Sequence, residues 1–287
     1  MHSYLDSGMT YAYGLEVAGV RIRILAPRAM RFPDSFLPFL QDADMWEHPD
    51  WEVYVHFGVK ETFLSGEDRV KRFPRRDGAD IFRVLPADRK HTCRFFIPEE
   101  RADSFCQNAN WMLLMPWADM FLSHGRFVLH ASGVADRGEA ILFTAPSGGG
   151  KSTQASLWEQ NDGSEILNGD KMVIFAETDQ PVAYGSPIAG SSGIYKDASA
   201  PIKAIVYLHK APENRVERMD KSRACLALYS QAVKLEGDAD FNQALLPLLE
   251  RIVQAVPVLE LSCTPEPEAV DCVRSWLIDF QNHEKEE

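Results

Sequence analysis

The 287 residues are 45% hydrophobic and 25% charged, a composition that suits a folded globular chain rather than a disordered or fibrous one, at a length that suits two domains or one large one. Forty-two acidic against 30 basic residues leave a formal net charge of -12, and no run of five or more Lys and Arg interrupts that field, so neither nucleic acid nor anionic lipid is an expected partner. No segment approaches the roughly 18 uninterrupted apolar residues of a membrane span, and the start MHSYLDSGMT lacks the basic and apolar parts of a secretory signal, so a cytoplasmic protein is expected.

Apolar alternation in YGLEVAGVRIRIL (Tyr13 to Leu25) and WEVYVHFGV (Trp51 to Val59) predicts half-buried strands joined by the Pro-rich stretch APRAMRFPDSFLPF. The first hundred residues should therefore be β-rich. Trp46, Trp51, Trp111 and Trp117 cluster in this half, where aromatic residues near strands belong to a core more often than to a ligand cage. His91 and Cys93 lie two apart in HTC, but two ligands are too few for a structural zinc. Cys93, Cys106, Cys225, Cys263 and Cys272 are odd in number and form no CxxC pair, which predicts reduced thiols rather than a disulfide framework. Cys106 to Ser123 (CQNANWMLLMPWADMFLS) is helix-like, with a kink or break at Pro116, and ends at His124-Gly125. This places the division between a β-rich N-terminal domain with its junction helix, 1–123, and a second domain, 124–287.

In the second half RFVLHASGVA (Arg126 to Ala135) and EAILFTA (Glu139 to Ala145) read as buried strands joined by a turn at Asp136 to Gly138. The segment STQASLWEQ starts a helix, EILNGD and KMVIFAE flank a strand pair, and KAIVYLHK (Lys203 to Lys210) is another strand. Phe241 to Val256 and Glu266 to Phe280 carry apolar residues at helical spacing around the strand-like PVLELSC. The acidic tail NHEKEE reads as a solvated end.

Between the second of these strands and the helix lies APSGGGKST, Ala145 to Thr153, which fits A-x-x-x-x-G-K-S with Ala145 in place of the usual first glycine. Glycines let consecutive backbone N–H groups turn inward around an anion, and a following helix aims its positive end at the same place. Ser147, Gly148, Gly149, Gly150, Lys151, Ser152 and Thr153 are thus the candidate nucleotide-binding residues, with Lys151 reaching the terminal phosphates and the Ser152 hydroxyl a ligand for Mg²⁺. Chance produces such a match in roughly a few per cent of chains this long. A strand before the loop and a helix after it are the context the motif requires. A carboxylate must complete the metal site, and Asp170 in ILNGDKMVI stands between two apolar runs. Asn168-Gly169 also favours a plain turn there.

His130 on the strand before the loop, APSGGGKST itself and NGDK after the next helix resemble the catalytic domain of HPr kinase/phosphorylase and, more closely, the bacterial HPr-kinase-like proteins, whose core is similar to phosphoenolpyruvate carboxykinase. The likeness spans about residues 126 to 210, with a weaker echo in PVLELSC and the last helix. It implies an α/β (α+β) fold with a P-loop core of that type beside the smaller β-rich domain. It implies ATP bound by Gly148 to Thr153, Mg²⁺ held by Ser152 and Asp170, and His130 beside the reacting phosphate. Catalysis would then rest on His130, Asp170 and Lys151, and the family assembles as homo-oligomers. These kinases place two adjacent aspartates after the helix, the first acting as general base, and here that position is Gly169. Histidine titrates near neutral pH, so His130 is a candidate base, with Asp197 a second and a satisfied core histidine the alternative. The Gly- and Ser-rich YGSPIAGSSGIYKD (Tyr184 to Asp197) is either a mobile surface connection or a segment that closes over substrate, with Lys196 or Lys171 countering phosphate charge.

Three functions follow in order. The first is an ATP- and Mg²⁺-dependent kinase acting on a hydroxyl of a protein, peptide or small molecule. The second is a nucleotide-binding regulatory protein that has lost catalysis, which Gly169 favours. The third is a carboxykinase-type lyase, for which the sequence offers no set of metal-binding histidines and dicarboxylate-binding basic residues.

Overall fold

A computed structural model describes residues 8–58, 66–76, 78–107, 109–160, 163–234 and 239–284. The first seven residues, Val59 and the last three residues of the acidic tail lie outside them. The chain divides into two compact units, Met1–Met120 and Phe121–Glu287.

The first unit is built on a mixed sheet. Its strands are β1 (Tyr11–Val17), β2 (Val20–Ala26), β3 (Leu40–Gln41), β4 (Trp51–Phe57), β5 (Arg69–Phe73), β6 (Ile81–Leu85) and β7 (Thr92–Ile97), in the order β3-β1-β2-β4-β7-β6-β5. The alternation from Tyr13 to Leu25 is two strands, because Ala18 and Gly19 both take positive φ and turn the chain back into a hairpin. Strand β2 then runs parallel to β4, and β4 parallel to β7. Part of the Pro-rich connection folds as a 3-10 turn over Asp34–Phe39 that buries Phe36 and Phe39.

The predicted helix after Cys106 is broken into pieces: α1 (Ala102–Gln107), a 3-10 segment over Ala109–Leu114 and α2 (Trp117–Leu122). Pro116 sits at the second break, where its missing N–H and its ring end the preceding turn. All four tryptophans of this half are buried. Trp111 stacks on Phe105 at 4.8 Å and meets Phe95 edge-on at 5.8 Å, so the aromatic cluster is core. His91 stacks on Trp51, whereas Cys93 is fully enclosed and burial pushes its thiol up to about 12. Among the described residues no group of three or more His, Cys, Asp or Glu side chains is placed to hold a metal.

The second unit is a mixed α/β layer structure. Its strands are β8 (Arg126–Asp136), β9 (Glu139–Thr144), β10 (Ser164–Asn168), β11 (Lys171–Phe175), β12 (Val182–Tyr184), β13 (Ser199–Lys210), β14 (Arg215–Arg218) and β15 (Val258–Cys263). The sheet order is β10-β8-β11-β12-β13-β15-β14, with β9 joined to both β8 and β13. Strands β9, β13 and β15 are parallel neighbours, so their carboxyl ends open on one edge of the sheet. Strands β10 and β11 do not pair with each other. Each pairs with a different half of the eleven-residue β8, which is long enough to serve both.

The helices are α3 (Lys151–Glu159), α4 (Lys221–Gln231), α5 (Ala239–Ala255) and α6 (Glu268–Glu284). The apolar faces of α3 and α6 meet the sheet in one core, with Ala155 and Trp158 from α3, Val270 and Val273 from α6, and Phe143, Val206 and Leu261 from the strands. Trp158 is fully buried, 5.9 Å from the Phe143 ring and under the Arg274 guanidinium. None of the described helices is long and apolar enough to cross a membrane.

Candidate functional site

The glycine loop connects the end of β9 to the start of α3. Its three consecutive glycines are required for different reasons. Gly148 and Gly150 take φ of +75° and +98°, which L side chains rarely adopt. At Gly149 a Cβ would stand 2.5 Å from the Ala145 Cβ and 2.9 Å from the Pro146 carbonyl oxygen. Ala145 therefore fills, with its methyl group, the space that Gly149 leaves. Lys151 is the first helical residue and is buried, and its Nζ donates to the carbonyl oxygens of Ala145 at 2.9 Å and Pro146 at 3.3 Å. Burial lowers its pKa, and Lys171 lowers it further, while Asp170 acts the other way.

A cavity of about 550 Å³ opens over this loop. One wall is the loop and first turn of α3, Ser147 to Gln154. A second is His130 with Gly169 and Asp170, and a third is formed by Lys210-Ala211 after β13 and Cys263-Thr264-Pro265 at the end of β15. Ligand sites in open α/β sheets lie outside the carboxyl ends of strands, and β9, β13 and β15 all point theirs here. Of the candidate residues predicted from the sequence, His130, Ser147 to Thr153 and Asp170 line this one cavity, whereas Lys171, Lys196 and Asp197 do not.

The bend between β10 and β11 brings Asp170 to His130. Lys171 stands opposite His130 in the β8–β11 pairing, which sets Asp170 at the strand's entry. Asp170 Oδ1 lies 2.9 Å from His130 Nε2 and Oδ2 lies 2.9 Å from Lys171 Nζ. The hydrogen bond from His130 is the largest influence on this carboxyl, and with Lys171 it outweighs burial and holds Asp170 down to about 2. Asp170 is therefore more than a plain turn residue in the NGD bend.

Asn168 does the work of holding that bend. It is fully buried, and its Oδ1 accepts from the backbone N–H groups of Asp170 and Lys171, both at 2.8 Å. Its Nδ2 donates to Ser186 O at 2.8 Å and Ile188 O at 3.4 Å. Ser132 on β8 adds a hydrogen bond to Gly169 O at 2.7 Å. One amide thus ties the carboxylate-bearing bend to the segment after β12. Sequence reasoning missed Asn168 because Asn before Gly reads as a turn signal whatever its side chain reaches. Lys210, Cys263 and Thr264 were missed as well, although Lys210 and Cys263 end predicted strands and Thr264 follows one, so the rule about strand ends could have found them.

The Gly- and Ser-rich segment is fastened down. Gly169 N donates to Ile194 O, Gly185 N to Ala198 O, and Asn168 pairs with Tyr195 in a single β-bridge. Lys196 turns away from the cavity to Glu165, 2.6 Å distant, and Asp197 does not line the cavity either. Ser191 does. Gly190, at φ +58°, lies against Asp170, where a Cβ would come within 2.6 Å of the Asp170 side chain. At Gly169 a Cβ would collide with the Ser192 Oγ and stand 2.6 Å from its Cβ. The space beside Gly169 is thus filled from the neighbouring segment.

Among the oxygen-bearing side chains that line the cavity, the Ser152 hydroxyl and the Asp170 carboxylate are the hard candidate ligands predicted from the sequence. That set suits Mg²⁺, which keeps several waters and takes one or two protein ligands together with phosphate oxygens. It does not suit an all-protein cage.

No family model and no curated protein matches the chain. Among solved structures it is similar to the Hpr(Ser) kinase/phosphatase from Coxiella burnetii, at 12% identity and a TM-score of 0.35 over 55% of this chain and 95% of that one.

Proposed function

We propose that the second unit binds ATP with Mg²⁺ over the loop Ala145 to Thr153 and transfers the terminal phosphoryl group to a hydroxyl, in the manner of an HPr-kinase-like phosphotransferase. The observation that carries this reading is that an anion-cradling loop, a buried lysine and a His130–Asp170 pair line the same cavity. The backbone N–H groups of Gly148 to Ser152 and the first turn of α3 would receive the phosphates. Lys151, now held on two loop carbonyls, would turn its ammonium to the terminal phosphates. Ser152 and Asp170 would hold the metal, whose chemistry is to neutralise charge on the phosphate oxygens.

His130 is the proposed proton acceptor. Asp170 engages its Nε2 and orients the ring, leaving Nδ1 as the basic nitrogen, which supplies the base that Gly169 lacks. The first unit, with no motif of its own, is the proposed site of acceptor or partner recognition.

The test is to incubate the chain with γ-labelled ATP, Mg²⁺ and serine-containing proteins, peptides and small alcohols, and to follow transfer and hydrolysis. Label transfer that disappears in Lys151→Ala and His130→Ala is the expected result. A wild-type chain that binds no ATP sinks the proposal. The second reading, a nucleotide-binding regulatory protein, is favoured by one observation, the filling of the Gly169 position by Ser192. Tight ATP binding with neither transfer nor hydrolysis would select it.

A further inference from the structure

We propose that the Lys171 ammonium is the resident counter-cation of Asp170, so that a divalent metal enters only by displacing it and loads together with nucleotide phosphate. This rests on the reading of the cavity as a metal–nucleotide site and adds a residue to it. Both carboxylate oxygens of Asp170 are engaged, Oδ1 with His130 Nε2 and Oδ2 with Lys171 Nζ, each at 2.9 Å. A cation entering at Asp170 therefore meets an ammonium already seated on Oδ2, and the repulsion between the two positive charges, rather than a lack of lone pairs, favours displacing it. The imidazole is the less mobile partner, since His130 lies within β8 and its ring has only two side-chain torsions, whereas the lysine stem has four.

The backbone of Lys171 stays in place during such a change. Its N–H is held by Asn168 Oδ1, its carbonyl accepts from Ser186 Oγ at 2.8 Å, and it pairs across β11 with His130. Only the side chain is free to swing. The Asp170 carboxylate it contacts lines the cavity over the glycine loop, so an ammonium released from Oδ2 starts beside the space that phosphate oxygens would enter. Before ligand arrives, the Lys171 ammonium is seated on Asp170 Oδ2, and Lys151 lines the same cavity as Asp170. A metal ion alone adds two positive charges there and meets repulsion from both lysines. A metal–triphosphate complex brings more negative than positive charge, and it offers Lys171 a new partner in the phosphate oxygens.

Metal binding to the free protein should therefore be weak, nucleotide should strengthen it, and Lys171 should be the reason for much of the difference. The scarcity of other ligands is consistent with this, since no group of three or more metal-capable side chains exists among the described residues.

The test is a titration with Mn²⁺, read by the loss of the free-ion electron paramagnetic resonance signal, on the full chain with and without β,γ-imido-ATP. Wild type, Lys171→Met, Lys171→Arg and Asp170→Asn are compared. Removing one unit charge at contact distance from the metal position should tighten binding of Mn²⁺ alone by about tenfold in Lys171→Met. Lys171→Arg, which keeps the charge, should stay near wild type, and Asp170→Asn should lose binding in both conditions. The nucleotide-induced gain in Mn²⁺ affinity should shrink in Lys171→Met. If Lys171→Met binds free Mn²⁺ no more tightly than wild type while still binding the analogue, the counter-cation role is wrong and the cavity reading stands. If the wild-type chain binds no analogue at all, both are overturned. Lys171→Gln provides a second neutral variant should Lys171→Met fail to fold.

Discussion

Gly169 permits a quantitative test of how the site is packed. Its φ is not in the left-handed region, so a side chain there meets no backbone strain, only Ser192. In Gly169→Ala the added methyl group would clash with Ser192 Oγ and stand 2.6 Å from Ser192 Cβ. The hydroxyl cannot retreat freely, since it donates to Ala189 O at 2.7 Å and accepts from Ile194 N at 3.3 Å. Overpacking of this kind destabilises by about 1–3 kcal/mol. Ser192→Gly alone should lose about 1 kcal/mol with its two hydrogen bonds. In the double variant the clash is gone, so its loss should fall short of the sum of the singles by about 1–2 kcal/mol. Urea unfolding monitored by circular dichroism, with the midpoint and slope fitted for each of the four proteins, measures this coupling. Additive losses, or a Gly169→Ala protein as stable as wild type, would refute the packing account. Gly169→Asp should be at least as destabilised as Gly169→Ala, so that restoring the family residue does not improve turnover unless Ser192 is changed too.

Lys151→Ala should abolish ATP binding measured by isothermal titration calorimetry, because the loop would lose the ammonium that faces the terminal phosphates. In Asn168→Ala, four backbone partners lose their amide at a fully buried position, which should destabilise the chain by about 2–4 kcal/mol in urea unfolding. The carboxyl of Asp170 is held down to about 2, below its value in an unfolded chain, so its contribution of about 2 kcal/mol is complete above about pH 4 and is lost as the pH falls towards 2. Asp170→Asn should accordingly show a flatter decline in stability than wild type between those limits, followed by acid titration of the circular dichroism signal.

Much of the site could be read in the chain because it depends on local chemistry. Three glycines in a row before Lys-Ser, after a buried apolar run and ahead of a helix-forming segment, allow backbone conformations closed to other residues, and the loop uses positive φ at Gly148 and Gly150. The strands around it were legible for the same reason, since burial on both faces demands continuous apolar residues in FVLHASGVA, AILFT and KAIVYL. Where the local signal was ambiguous, the reading failed. EILNGD and KMVIFAE read as strand segments, but their partner was not legible: both pair with the long β8, and pairing between distant strands leaves no mark in a short window. Lys196, in a Gly- and Ser-rich segment, looked free to reach the phosphates and instead meets Glu165, on a strand 31 residues earlier.

The sequence by itself located the glycine loop between a strand and a helix and put Asp170 between two apolar runs, because these follow from residue type and spacing within a few dozen positions, whereas His130 was singled out only by the resemblance to a kinase family. Tertiary structure alone decided how those residues meet. It brought Asp170 between an imidazole and an ammonium, made a turn asparagine the buried tie of the bend, and packed Ser192 against Gly169. Such contacts join segments that pack together only after the sheet has formed, and the energies that select them are those of buried hydrogen bonds and close packing, which no pattern along the chain encodes.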